Sequence, residues 1–119
     1  MPGDLSVYIV EDDAAALDSL SALLPAHGYE TIMCSSAERL LEVLDEEMRA
    51  CIVLDLQLPG ISGMDLLDRL NTMDARTPVI ILTAHGDIPV AVKAMRAGAI
   101  DFIEQPAQGD QLLTAVKRA

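Results

Sequence analysis

Five short apolar runs recur along the chain, and a stretch with aliphatic residues at helical spacing follows each one. The runs are Leu5–Val10, Tyr29–Cys34, Cys51–Leu54, Pro78–Thr83 and Ala99–Glu104. The stretches carry Leu17, Leu20, Leu23 and Leu24, then Leu40, Leu41, Val43 and Leu44, then Leu66, Leu67 and Leu70. A fourth runs from Asp87 through Ala97, and a fifth, Gln111 to Lys117, carries Leu112, Leu113 and Val116. Strands and helices alternating five times, (βα)5, predict an α/β fold. Right-handed crossovers then give a parallel sheet with helices on both faces. The third run is apolar without a break and rich in β-branched residues, the pattern of a strand buried on both sides.

Local signals set the helix ends. Asp13 is a good N-cap for the first helix, which Pro25 and Gly28 close. Ser35 and Glu38 have capping-box spacing before the second helix, as Ser62 and Asp65 do before the third. Asp87 caps the fourth helix, Pro89 fits its first turn and Gly98 supplies a left-handed stop. A chain of 119 residues is expected to be one domain. With two Tyr, one Phe and no Trp, its core must be aliphatic. Cys34 and Cys51 each sit in a predicted strand and read as small buried hydrophobes.

The net charge of −11 argues against direct nucleic-acid binding, which needs clustered Lys and Arg. No apolar run approaches the ~18 residues of a membrane span, and the start lacks a basic-then-apolar signal, so a soluble, cytoplasmic chain is expected. The acids are not spread evenly. The first strand ends in Glu11-Asp12-Asp13 and the third in Asp55, while the fourth ends at the hydroxyl of Thr83. Open parallel sheets bind ligands beyond the carboxyl ends of their strands. On its own, Asp55 reads equally well as a turn cap. If strands one, three and four are neighbours, however, three carboxylates converge, and a hard divalent cation is their natural counter-charge. Mg2+ takes one or two carboxylates together with phosphate oxygens, and an Asp beside it is a plausible phosphoryl acceptor.

These residues carry a resemblance that covers the whole chain. Val10-Glu11-Asp12-Asp13, Leu54-Asp55-Leu56 with Leu58-Pro59-Gly60 and Gly63, Thr83-Ala84, Ala97-Gly98-Ala99 and Pro106 resemble the receiver domain of bacterial response regulators. The stretch Thr83-Ala84-His85-Gly86-Asp87-Ile88-Pro89 is most similar to receivers fused to LuxR-type helix-turn-helix output domains. The resemblance implies a flavodoxin-like doubly wound sheet of strand order 2-1-3-4-5, in which Cys34 and Cys51 do not pair. It implies that Asp55 is the phosphoacceptor. Glu11 and Asp12 would hold Mg2+ with Asp55 and the backbone carbonyl of Gln57, Asp12 being the direct ligand of the acidic pair. Thr83 would hydrogen-bond the phosphoryl group and Phe102 would report it by changing rotamer. A histidine kinase or phosphotransfer protein would be the donor. The domain would not be an enzyme beyond its own phosphoryl transfer and autodephosphorylation. Output, with homodimerisation on activation, would use the face of helix four, strand five and helix five, carrying Lys93, Arg96, Phe102 and Leu112.

One position departs from the family pattern. Receivers usually carry Lys immediately before the proline after strand five, and here the residue is Gln105. A neutral amide in place of an ammonium exchanges a charge-assisted hydrogen bond for an ordinary one, about 1–2 kcal/mol weaker. Ala107, where a bulkier residue is common, is a second departure. The competing functions are an FMN protein, a Mg2+-dependent phosphatase, and a receiver-like binding module that works without phosphorylation. Glu11-Asp12-Asp13 would repel the phosphate of FMN, and Gln57 stands where a phosphatase would want a second Asp. The module, motivated by Gln105, is the serious alternative. His85, with no second ligand at metal spacing, reads as a loop residue. The abrupt end at Val116-Lys117-Arg118-Ala119 suggests a receiver domain, 1–119, excised from a longer regulator.

Overall fold

A computed structural model of the chain describes residues 6–44, 50–56, 62–73, 77–83, 88–104 and 109–118. The strands are β1 (Ser6–Val10), β2 (Glu30–Cys34), β3 (Ala50–Asp55), β4 (Val79–Thr83) and β5 (Asp101–Glu104). The helices are α1 (Ala14–Ala26), α2 (Ala37–Val43), α3 (Gly63–Thr72), α4 (Ile88–Arg96) and α5 (Gly109–Arg118). All neighbouring strands pair in parallel, in the order β2-β1-β3-β4-β5. The expected (βα)5 architecture and strand order are borne out.

Alternation along the strands sorts the core into two clusters, one on each side of the sheet. Tyr8, Val10, Ile52, Leu54, Val79 and Ile81 pack against α2, α3 and α4, through residues such as Leu40, Leu66 and Ala94. Val7, Ile9, Cys51, Val53, Ile80 and Leu82 pack against α1 and α5, through residues such as Leu24 and Val116. Every residue of β1, β3 and β4 is buried. Cys34 and Cys51 are free thiols in opposite clusters. Burial pushes the Cys51 thiol up to about 12. It raises Cys34 as well, against a smaller downward pull from Arg39. No helix among the described residues is long and apolar enough to cross a membrane.

Two local expectations are corrected, the end of α1 and the cap of α2. Pro25 does not end α1 but lies inside it, because in the last turn it forfeits only the bond to the Ser21 carbonyl. The stop is Gly28, at φ +88°, where the Gly28 N–H donates to the Pro25 carbonyl and the Tyr29 N–H to the Leu24 carbonyl. Ser36, not Ser35, caps α2 and accepts from the Arg39 N–H at 3.1 Å, so Glu38 does not complete a capping box with it. Leu112 is fully buried in the α1/α5 cluster, inward as the helical spacing predicts. Asp13 and Ser62 do cap α1 and α3, accepting from the N–H groups of Ala16 and Asp65. The expected cap Asp87 lies outside the described residues, whereas Pro89 does sit in the first turn of α4.

Candidate phosphoacceptor site

Parallel pairing aligns the carboxyl ends of β1, β3 and β4. Val10 pairs with Leu54, and Asp55 with Leu82. Glu11 and Asp55 therefore emerge together, each one residue past that first pair. By alternation both belong to the α1/α5 side of the sheet, following Ile9 and Val53. Glu11 is 1 % exposed and Asp55 6 %. Asp12, by contrast, is exposed. One carboxylate oxygen from each of Glu11, Asp12 and Asp55 lies within 4.8 Å of the other two. The sequence expectation that the acids converge is thus realised in space.

The backbone holds the acidic corner open. The Oε1 atom of Glu11 accepts from the N–H groups of Asp12 at 3.1 Å and Asp13 at 3.2 Å. The Glu11 N–H itself donates to the Cys34 carbonyl, which carries the β1–β2 ladder one step past the strand. A buried carboxylate is tolerable only with such partners. Asp13 turns away to cap α1, so the run of three acids divides its tasks.

On the other side of β3, α3 begins against the strand end. The Gly63 N–H donates to the Leu56 carbonyl at 3.3 Å. A Cβ at residue 63 would lie 2.5 Å from the Leu56 Cα and 2.8 Å from the Asp55 carbonyl oxygen. Only glycine lets the helix approach this closely. Sequence reasoning placed Gly63 in a family motif but missed this packing role, which depends on a contact seven residues back along the chain.

Thr83 ends β4, is 1 % exposed and pairs with Glu104 across to β5. Alternation puts Thr83 on the α2/α3/α4 side, following Ile81. Phe102 is half-buried and packs against that same cluster. Thr83 and Phe102 therefore share one side of the sheet, and Glu11 and Asp55 the other. Gln57 and Gln105, with Ala107 and His85, lie outside the described residues.

The donor set fits Mg2+, a cation that accepts carboxylate oxygens at ~2.1 Å, which puts two ligand oxygens at most about 4.2 Å apart. From separations within 4.8 Å, less than an ångström of side-chain closure is needed. Two like charges at that separation repel by about 3–4 kcal/mol at an effective dielectric of ~20, so a counter-ion has a clear electrostatic reason to enter.

Comparisons with known proteins point the same way. The family model described as the response regulator receiver domain matches residues 7–117. The transcriptional regulatory protein FixJ of Azorhizobium caulinodans is 42% identical over 117 residues, 98% of this chain and 56% of that protein. FixJ of Bradyrhizobium diazoefficiens is 38% identical over 113 residues, 95% of this chain and 55% of that protein. The chain thus spans about half the length of these curated relatives. Among solved structures, FixJ-N superposes with a TM-score of 0.90 at 38% identity, covering 97% of this chain and 92% of that one.

Proposed function

The chain belongs to the response regulator receiver domain family, and from that premise we propose that Asp55 accepts a phosphoryl group from a histidine kinase or phosphotransfer protein. One observation carries the assignment: the carboxylates of Glu11, Asp12 and Asp55 gather within 4.8 Å at the carboxyl edge of the sheet. Glu11 and Asp12 would hold Mg2+ with Asp55 and the Gln57 carbonyl. Asp12 is the direct ligand of the acidic pair. It is exposed, whereas one Glu11 oxygen is already engaged by two backbone N–H groups. When bound, the ion supplies positive charge that offsets the carboxylates and the incoming phosphoryl oxygens.

The chain's own part is nucleophilic. A carboxylate oxygen of Asp55 attacks the donor's phosphorus. The new P–O bond forms as the P–N bond to the donor imidazole breaks, and that nitrogen keeps the electron pair and takes a proton from water. The product is an acyl phosphate on Asp55. The Thr83 hydroxyl would donate to a phosphoryl oxygen, drawing the end of β4 toward the site. Phe102, on the same side of the sheet, would follow by changing rotamer. Activation would favour a homodimer through the face of α4, β5 and α5, where Lys93 and Arg96 close the last turn of α4. Hydrolysis of the acyl phosphate by water resets the domain, which makes it a switch and not a turnover enzyme. Loss of transfer competence at Asp55 is the direct test. Intact-mass measurement after acetyl phosphate and Mg2+ should show one added phosphoryl group, absent from Asp55→Asn. Equal labelling of the variant would sink the assignment to Asp55, and a natural protein that takes up no phosphoryl group would leave the phosphate-independent module as the better reading.

A further inference from the structure

At its far end α3 touches a different element. The Asn71 amide donates from Nδ2 to the Ala97 carbonyl, one residue past the end of α4. The next residue, Gly98, has φ +112°, and a Cβ there would lie 3.0 Å from Asn71 Oδ1. The left-handed stop of α4 is therefore built around the Asn71 side chain as well as around its own backbone. A helix's last carbonyls lack intrahelical partners, and here one partner comes from 26 residues away.

The two helices differ in how firmly they are held. In α3, Leu66, Leu67 and Leu70 are buried, and Gly63 is wedged against Asp55 and Leu56. In α4 the buried residues are only Ala91 and Ala94, while Ile88, Val92 and Met95 are exposed. An element with so little buried apolar area is the one a small bias can move. Its carboxyl end is tied to a well-anchored helix whose other end rests on the strand bearing Asp55.

We infer that α3 is a rigid link, about 15 Å long, from the Asp55 strand end to the carboxyl end of α4, with Asn71 as the clasp. It acts alongside Thr83 and Phe102 and rests on the function proposed above. A shift of Asp55 and Leu56 pushes directly on Gly63, and the leucine-packed helix transmits it to the Ala97–Gly98 turn. Asn71 is a positioning residue in this scheme and does not touch the phosphoryl group.

The test compares the natural chain with Asn71→Ala and Asn71→Asp, the second keeping the side-chain shape without the donor. Hydrogen exchange of segment 94–99 is followed with and without beryllofluoride and Mg2+, and Asp55 labelling by acetyl phosphate is measured in parallel. Loss of one ordinary hydrogen bond should speed basal exchange there about fivefold, equivalent to ~1 kcal/mol. A merely structural clasp would do no more than that. The inference requires in addition that the beryllofluoride-induced change in protection, present in the natural protein, shrinks at least threefold in both variants while Asp55 labelling persists. An unchanged response in the variants, or no response at 94–99 in a natural protein that is labelled, overturns the link alone. Absence of labelling in the natural protein overturns the functional reading and the link with it.

Discussion

Replacing Gly63 by alanine should damage both stability and chemistry, for one reason. The added Cβ would lie 2.5 Å from the Leu56 Cα and 2.8 Å from the Asp55 carbonyl oxygen, so backbone must move and not a flexible side-chain tip. Overpacking of this kind costs about 1–3 kcal/mol, and the better helix propensity of alanine returns about 0.5–1 kcal/mol at most. The net loss is about 1–2 kcal/mol. For a domain of this length the unfolding entropy is about 0.25 kcal/mol per kelvin, which converts the loss into a fall in Tm of roughly 4–8 °C. The atoms that must yield belong to Asp55 and its neighbour, so phosphorylation by acetyl phosphate should slow together with the loss of stability. Gly28→Ala is the control. Gly28 also needs replacing against a positive φ of 88°, but nothing lies within 4 Å of its would-be Cβ. That variant should lose about 1 kcal/mol from backbone strain and phosphorylate normally. Calorimetry and labelling kinetics on the two variants separate the effects. If Gly63→Ala phosphorylates at the natural rate, the wedge between α3 and the strand end does not position Asp55.

Two further outcomes are expected. The Cys51 thiol, raised to about 12 from 9.0, is neutral in the folded state where the unfolded chain would ionise. Its contribution to stability is whole below pH 9 and is lost as pH rises from 9 toward 12, at up to about 1.4 kcal/mol per pH unit. Cys51→Ala should therefore flatten the alkaline fall in stability between pH 9 and 11, and urea titrations with identical slopes in both proteins would refute this. Gln105→Lys should strengthen beryllofluoride-induced dimerisation by roughly five- to thirty-fold, the worth of ~1–2 kcal/mol, without tightening Mg2+ binding. Sedimentation and calorimetric titration read the two halves, and a natural protein that already dimerises fully would refute the first.

The strands were legible because parallel sheets bury both faces, so β3 appears as an uninterrupted apolar run. Their starts were less so. Tyr29 and Ala99 look like strand residues, yet their N–H groups donate back to Leu24 and Ala94 and finish the preceding helices. A strand cannot begin while its amides are still spent on a helix stop. Between Ser35 and Ser36 sequence spacing alone could not choose, because both precede the same apolar pattern. The decision is made by Ala37 and Leu40, whose burial against the sheet fixes the helix's rotation. The acidic residues of the site were legible as types at strand ends, whereas their convergence needed the strand order, which came from the family resemblance. Asn71 was not legible at all: a polar residue near a helix end gives no hint of a partner 26 positions on.

The two-sided core also explains why such a domain can signal. Glu11 and Asp55 belong to the α1/α5 side, whereas Thr83, Phe102, α3 and α4 belong to the other. Between the two lie β1, β3 and β4, buried along their whole length, and close-packed interiors do not deform gradually. A charge added at a strand end on one side therefore meets a packed sheet that transmits strain instead of absorbing it. Among the described residues, the carboxyl edge offers it a short route to the other side, because the strands end there. Two elements meet that edge: β4 ends there at Thr83, and α3 begins there with its first residue wedged against Asp55 and Leu56. A phosphoryl group on Asp55, as proposed above, would therefore sit where a local change on the acidic side is also a packing change on the side that carries α4.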